Sequence, residues 1–117
     1  MPKNKPAKMF FIYVKDFLDN MRIELKSERT IQTYKESLNA FRLYLRQVHG
    51  RQVDEVTFEY VTEDTIRRFT SWVAENNSIG TRNIRLSAIK SYLQYAADRD
   101  IELIPLQLKA AKIKHKK

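Results

Sequence analysis

Apolar residues recur at spacings of three and four along four stretches of the chain, a pattern typical of helices that bury one face. The predicted helices cover about 9–25, 28–48, 63–76 and 79–98. With only two glycines and three prolines in 117 residues, the pattern predicts an all-α fold, a four-helix bundle. The second helix carries the longest apolar stripe: Ile31, Tyr34, Leu38, Phe41, Leu45 and Val48. The first carries a shorter one: Phe10, Val14, Phe17, Met21 and Leu25.

Small polar residues mark where the helices begin and end. Ser27 precedes the second helix and Ser78 the fourth, and a serine there accepts a hydrogen bond from the first turn. Gly50 follows the second helix, where a left-handed residue is favoured, and Thr62 precedes the third. Residues 51–61 alternate only loosely, which predicts an extended connection packed on the bundle, since a strand there would lack an obvious partner.

The fourth helix is apolar around most of its circumference, so we expect it at the centre of the bundle. Thr81, Arg82 and Arg85 in its first turns are expected to protrude, because a buried charge is costly. Pro105 is expected to end the helical part, leaving 106–117 as a lysine-rich tail. The polar positions of the helix form one stripe: Asn83, Ser87, Lys90 and Gln94.

The formal charge of +8 is distributed unevenly along the chain. Residues 1–8 and 109–117 hold eight lysines and no acid, so the remaining body is neutral. Within that body, the acids concentrate in 54–64, whereas 29–53 and 76–97 are rich in basic residues. The tails alone would give weak, salt-sensitive binding to nucleic acid, and the sorted body predicts a polarised surface.

The sequence offers little for catalysis or cofactor binding. It has no cysteine, and His49 and His115 have no Cys, Asp or His at ligand spacing. There is no glycine-rich phosphate loop and no nucleophile elbow. Most aromatic residues fall on apolar stripes and are expected in the core. Because there is no apolar run of membrane-spanning length and no signal peptide, we expect a cytoplasmic, non-enzymatic domain without cofactor, metal, membrane or small-molecule partner.

The candidate functional segments are the starts of the second and fourth helices, residues 27–33 and 78–85, which we call the two helix openings. Both combine hydroxyl and basic side chains, and the free N–H groups of a helix start attract phosphate. Arg82, Asn83 and Arg85 are also side-chain types that read guanine and adenine in the major groove. Ordinary capping beside a solvated charged turn explains either opening alone, but two openings with segregated acids favour DNA binding.

The chain resembles the core-binding domain of tyrosine recombinases, the group of phage integrases and Xer-like enzymes. The pattern Ser27-x-x-Thr30-x-x-x-Tyr34-x-x-x-Leu38-x-x-Phe41 is similar to the second helix of that family. The pattern Ser78-x-x-Thr81-x-Asn83-x-Arg85-Leu86-Ser87-Ala88-Ile89, followed by Tyr95-Ala96, is similar to its fourth. Where the family often has Asn-Pro after this helix, the chain has Ile104-Pro105.

The resemblance implies an orthogonal, SAM-like bundle that grips a recombination half-site with its second and fourth helices. Residues 1–8 would form a basic arm, 9–105 the DNA-binding domain, and 106–117 a linker toward a catalytic domain absent here. The domain would be a monomer alone and part of a tetramer on duplex DNA. Family catalysis needs a His-x-x-Arg, which this sequence lacks. By analogy, the DNA-facing residues are Arg29, Thr30, Thr33, Ser37, Ser78, Thr81, Arg82, Asn83, Arg85 and Lys90.

Three questions stay open at the level of sequence. A rival polar stripe lies on the other flank of the second helix. A helix-turn-helix regulator using the third and fourth helices is an alternative, as is a helical protein-interaction module whose lysines serve solubility. The regulator would dimerise on a palindrome, and the interaction module would bind no duplex at low salt. The rival stripe consists of Gln32, Lys35, Asn39, Arg42 and Arg46.

Overall fold

The computed structural model describes residues 7–117, and within that range the chain is all-α, as predicted. The first six residues of the predicted basic arm lie outside the described range. Three 3-10 helices, Phe10–Tyr13, Val53–Glu55 and Ile101–Leu103, adjoin the α-helices. The five α-helices are α1 (Val14–Ile23), α2 (Glu28–His49), α3 (Glu63–Asn76), α4 (Ile79–Arg99) and α5 (Ile104–Ala111).

The predicted helix ends are confirmed by their hydrogen bonds. The hydroxyl of Ser27 accepts from the N–H of Thr30 at 3.1 Å, and that of Ser78 accepts from Thr81 at 3.0 Å. Thr62 caps α3 in the same way. Gly50 ends α2 with a φ of 67°, the left-handed conformation that glycine adopts without a steric penalty.

The centre of the fold is α4, as its composition predicts. It contacts α1, α2, α3 and α5. Its inward residues are completely buried, and the rings of Phe10, Phe17 and Phe58 from other parts of the chain pack on Tyr92. The fully buried residues of α4 are Leu86, Ala88, Ile89, Tyr92, Leu93 and Ala96.

The connection between α2 and α3 has a partner that the sequence pattern did not reveal. The N–H of Phe10 donates to the carbonyl of Val56 at 2.8 Å, and the N–H of Phe58 donates to the carbonyl of Lys8 at 3.1 Å. The connection thus pairs briefly with residues 8–10, and Val56 and Phe58 are buried. Lys8, expected in a free arm, also forms an ion pair with Asp100 at 3.0 Å.

Two expectations about the helices are wrong. Leu25, assigned to the apolar stripe of the first helix, is 90% exposed because α1 ends at Ile23 and Leu25 lies in the following turn at φ 62°. Pro105 does not end the helical part. It lies in the first turn of α5, where a proline N–H is not needed, and Ala110 of α5 is fully buried.

Candidate nucleic-acid interface

The first two turns of α2 and the second and third turns of α4 line one groove, of about 420 Å³, which we call the α2–α4 groove. It brings together the two openings singled out in the sequence. Among the described residues, none of those that line it is acidic. The lining residues are Arg29, Thr30, Thr33 and Tyr34 of α2, and Asn83, Ile84 and Ser87 of α4.

The two openings have the same local geometry because each begins with Ser-x-x-Thr. Ser27 donates its hydroxyl proton to the hydroxyl of Thr30 at 2.9 Å, and Ser78 donates to Thr81 at 3.1 Å. Each threonine oxygen accepts this bond and retains its own proton to donate elsewhere. Both helices therefore present a threonine hydroxyl donor beside the N–H groups of their first turn.

A hydrogen bond between side chains fixes α2 against α4. The guanidinium of Arg85 donates to the hydroxyl of Ser37 at 3.0 Å, and Ser37 donates to the carbonyl of Thr33 at 2.8 Å. Ser37 is completely buried, so the expectation that it faces DNA is wrong: it lies at the contact between the helices. Arg85 is half-buried and holds the two openings in register.

Arg82 does not protrude, contrary to expectation, because acceptors from distant parts of the chain surround it. It is only 5% exposed. Its guanidinium donates to the carbonyl of Lys114 at 2.9 Å and to the amide oxygen of Asn83 at 3.0 Å. It also reaches the hydroxyl of Thr70 on α3 at 3.4 Å. In this arrangement Arg82 cannot reach a base edge.

Asn83 is also engaged within the protein. Its amide nitrogen donates to the carbonyl of Lys116 at 2.6 Å, and its amide oxygen accepts from the N–H of Lys116 at 3.0 Å. We call residues 112–116 the C-terminal segment. Ser87 and the Nε2 of His115 form a further bond across this contact at 2.9 Å. The polar stripe of α4 therefore holds the C-terminal segment.

A second groove, of about 540 Å³, lies between α3 and the C-terminal segment, and we call it the α3 groove. Its acids belong to the start of α3, where Glu63 and Asp64 pair with cations one turn later. The expectation that acids lie away from the basic openings therefore fails at these two residues. The charged lining residues are Glu63, Asp64, Arg67, Arg68, Arg82, Lys112, Lys114 and Lys116.

Comparison with known proteins assigns the family. The model of the phage integrase N-terminal SAM-like domain matches residues 14–100, from the start of α1 to the end of α4. The chain belongs to this family. No curated protein and no solved structure matches it. The α2–α4 groove of this integrase domain lies within the match, whereas α5 and the C-terminal segment lie beyond it.

Of the other site residues expected in the integrase domain, Arg29, Thr30 and Thr33 line the α2–α4 groove, whereas Ser78 and Thr81 line neither groove. Arg29 and Ser78 are exposed, and Thr30, Thr33 and Thr81 are half-buried. The hydroxyl of Thr33 donates to the carbonyl of Arg29 at 3.0 Å.

Lys90 lies further along the polar stripe of α4 and is half-buried. Burial lowers the pKa of Lys90, and the nearby charge of Arg82 lowers that pKa further.

The rival flank of α2 does not adjoin the opening of α4 in the integrase domain. Arg42 packs over the ring of Phe11 at 5.0 Å from its centroid. The other members of the rival stripe, Gln32, Lys35, Asn39 and Arg46, are exposed. The flank that meets α4 is the one with Thr33 and Ser37.

Sequence reasoning missed several residues of these grooves, and for some of them a signal existed. Arg82 and the buried Leu86, Ile89 and Leu93 follow one another at spacings of four, three and four, so helical periodicity places Arg82 on the inward stripe. Ile84 is 46% exposed and lines the α2–α4 groove, but as an apolar residue outside the polar stripe of α4 it carried no signal of a surface position. Nothing local indicates the docking of the C-terminal segment.

Within residues 7–117 of the integrase domain, no set of three potential ligands converges on a metal position. The described helices include none with the length and hydropathy needed to cross a bilayer.

Proposed function

We propose that this integrase domain binds duplex DNA, a recombination half-site, with the α2–α4 groove facing the DNA. The observation that carries the proposal is the meeting of the two helix openings in one groove without an acidic lining residue. A phosphate there would meet the free N–H groups at the start of α2, the hydroxyl of Thr30 and the guanidinium of Arg29 together. The family of the chain supports the same partner, since integrases act on DNA.

The residues at and beside the groove divide into two roles in this proposal. Arg29 and Thr30, which line the groove, contact phosphate, and Ser78 and Thr81 at the start of α4 contact phosphate just outside the lining. The exposed side chain of Ile84 offers an apolar contact of the kind that a thymine methyl group makes. Arg85 acts through Ser37 by keeping the openings together.

Thr33 and Lys90 complete the proposed surface. Thr33 lines the groove and contributes its methyl group, since its hydroxyl is bonded within α2. Lys90 contributes a cation at the edge of the polar stripe of α4.

The larger assignment follows from the same proposal. The domain is a core-site-binding part of a tyrosine recombinase, monomeric alone and tetrameric on DNA, with the catalytic residues outside these 117 residues. Its location is then the cytoplasm, where the DNA of a phage or bacterial host lies.

The test compares two arginines at opposite ends of α2. Arg29 lines the groove, whereas Arg46 lies about 25 Å away along the helix, at 1.5 Å per residue. We expect Arg29→Gln to weaken duplex binding and to reduce the dependence of log K on log salt by about 0.9, one phosphate contact. Arg46→Gln removes the same charge and should leave both nearly unchanged. Fluorescence anisotropy with a duplex of randomised sequence measures both quantities.

Other results would favour the alternatives. Equal losses in the two variants would mean that the α2–α4 groove is not the DNA site. No binding to duplex at low salt would favour a protein-interaction module. A dimer in sedimentation, with or without DNA, would favour a helix-turn-helix regulator.

A further inference from the structure

The C-terminal segment is held on α4 by specific contacts to its backbone. The side-chain amide of Asn83 pairs with both the carbonyl and the N–H of Lys116, so the contact does not depend on the side chain at that position. Arg82 binds the carbonyl of Lys114 in the same way. Backbone recognition fixes the path of the segment and leaves its lysine side chains exposed to solvent.

Buried apolar side chains also hold this stretch against the rest of the fold. Ile113 is only 8% exposed, and Ala110, one turn earlier, is fully buried. The bond between Ser87 and His115 adds a contact on the neighbouring residue. Every residue from Ile113 to Lys116 is thus either buried or hydrogen-bonded to α4, which is more order than a solvated lysine-rich tail would show.

The docked segment forms one wall of the α3 groove. Lys112, Lys114 and Lys116 line it opposite Arg67 and Arg68 of α3, with Arg82 between them. The groove holds six cationic and two acidic side chains, and the acids are the i,i+4 partners of the two α3 arginines. The groove therefore keeps an excess of positive charge, the property that phosphate binding requires.

The two grooves are lined by consecutive residues of α4. Asn83 lines the α2–α4 groove, and the adjacent Arg82 lines the α3 groove. A duplex seated on the α2–α4 groove would carry its phosphates past the lysines of the C-terminal segment. This adjacency favours the phosphodiester backbone of DNA over a free phosphate as the ligand.

We propose that Arg82 and Asn83 are positioning residues that hold the C-terminal segment against α4, and that the α3 groove so formed binds phosphates of the same duplex. The inference rests on the proposed DNA binding and adds to it a second contact surface. It replaces the base-reading role that residue type alone suggests for Arg82 and Asn83.

The first experiment separates positioning from base reading by measuring salt dependence. We expect the double variant Lys114→Gln, Lys116→Gln, which keeps the backbone bonds, to lower the slope of log K on log salt by up to about 1.8, for two phosphate contacts. Asn83→Ala should lower the slope as well, although it removes no charge, because the lysines are then no longer held. Adding Asn83→Ala to the lysine variant should change the slope little further. The probe is a short duplex of randomised sequence, and Arg46→Gln is the charge control.

A base-reading Asn83 gives the opposite results. Asn83→Ala would then change which sequences are enriched from a randomised duplex pool, leave the salt slope unaltered, and cause a loss of affinity that adds fully to the loss in the lysine variant. Any of these results would overturn the inference. Thermal unfolding of each variant shows whether the helical body is intact, and the lysine variant, confined to exposed side chains, tests the α3 groove even if Asn83→Ala unfolds.

A second arm distinguishes duplex phosphates from a small anion. Inorganic phosphate replaces chloride at constant ionic strength while duplex binding is followed. A duplex site responds to ionic strength alone, whereas a specific site for free phosphate loses duplex as phosphate rises, which would overturn the assignment to DNA. If the wild-type domain binds no duplex, the proposed function fails. If it binds with a slope insensitive to Lys114 and Lys116, only this inference fails.

Discussion

At the scale of single residues, the hydroxyl of Tyr92 ties the middle of α4 to the start of the described chain. It donates to the carbonyl of Phe10 and accepts from the N–H of Tyr13 at 3.1 Å. Tyr92→Phe leaves both backbone groups without this partner, so we expect the free energy of unfolding to fall by about 1–3 kcal/mol. Urea unfolding measures it. Tyr95→Phe, at a half-buried ring of the same helix, is the control and should have a smaller effect.

The same residue makes stability depend on alkaline pH. Burial raises the pKa of Tyr92 above the ordinary value of 10.0, so the native state keeps a proton that the unfolded chain loses. Above about pH 10, the native protein therefore binds more protons, and the free energy of unfolding falls as pH rises. In Tyr92→Phe this decline should be shallower, with a remainder from Tyr44, whose pKa burial also raises. Equal declines in the two proteins would contradict this account.

The site residues show which structural features the sequence alone does not determine. The sequence identified the two openings and their capping residues because capping depends on neighbours three positions away. It misassigned Ser37 because the burial of Ser37 depends on a partner 48 residues distant. It misassigned Arg82, despite the inward periodicity of its position, because the carbonyl that compensates the buried guanidinium lies 32 residues away. A serine or an arginine near a helix start fits both a DNA contact and a contact between helices. Only the packing of α2 and of the C-terminal segment on α4 decides between them.

At the scale of elements, local signals predicted α2, α3 and α4 to within two residues at each end. The wrong predictions involve residues that suit two different positions in a helix, or segments that pair with a distant part of the chain. Pro105 suits the end of one helix and the first turn of another, and α5 forms because Ala110 is buried in the fold. Residues 8–10 pair with residues 56–58, which no periodicity in either segment indicates.

The two glycines allow a matched test of the helix assignments. Gly50 has a φ of 67°, and a Cβ there would meet nothing within 4 Å, so Gly50→Ala is opposed by backbone strain alone. We expect it to lower the free energy of unfolding by about 1–2 kcal/mol. Gly80 lies in the first turn of α4, where a Cβ would make an ordinary contact 3.6 Å from the Ser78 hydroxyl oxygen. Gly80→Ala should raise stability by up to about 1 kcal/mol. In chemical denaturation, a Gly50→Ala variant that is not destabilised would contradict the left-handed end of α2, and a destabilised Gly80→Ala variant would contradict the helical placement of Gly80.

At the scale of the whole molecule, the placement of charge matters more than its sum. The net charge of +8 and the acid-rich stretch 54–64 predicted a polarised surface. The fold brings Glu63 and Asp64 to the edge of the α3 groove, where they pair with Arg67 and Arg68. The sequence could not show this, because the C-terminal segment that forms the other wall is about fifty residues further along the chain.

From this placement we predict that removing an acidic side chain at the α3 groove strengthens DNA binding, whereas removing one elsewhere on the surface does not. The carboxylate of Asp64 lies 2.7 Å from the Nε of Arg68, so Asp64→Asn frees that guanidinium for phosphate and removes a repulsive charge from the α3 groove. We expect duplex affinity to rise about two- to fivefold at low salt, with a steeper salt dependence. Asp54→Asn changes the net charge equally, but Asp54 is exposed in the 3-10 helix after α2 and lines neither groove. Anisotropy titrations of the two variants should therefore diverge, because most of the effect of a distant exposed charge is screened. Equal gains in both would mean that the duplex responds to total charge, and the α3 groove would then have no role in binding.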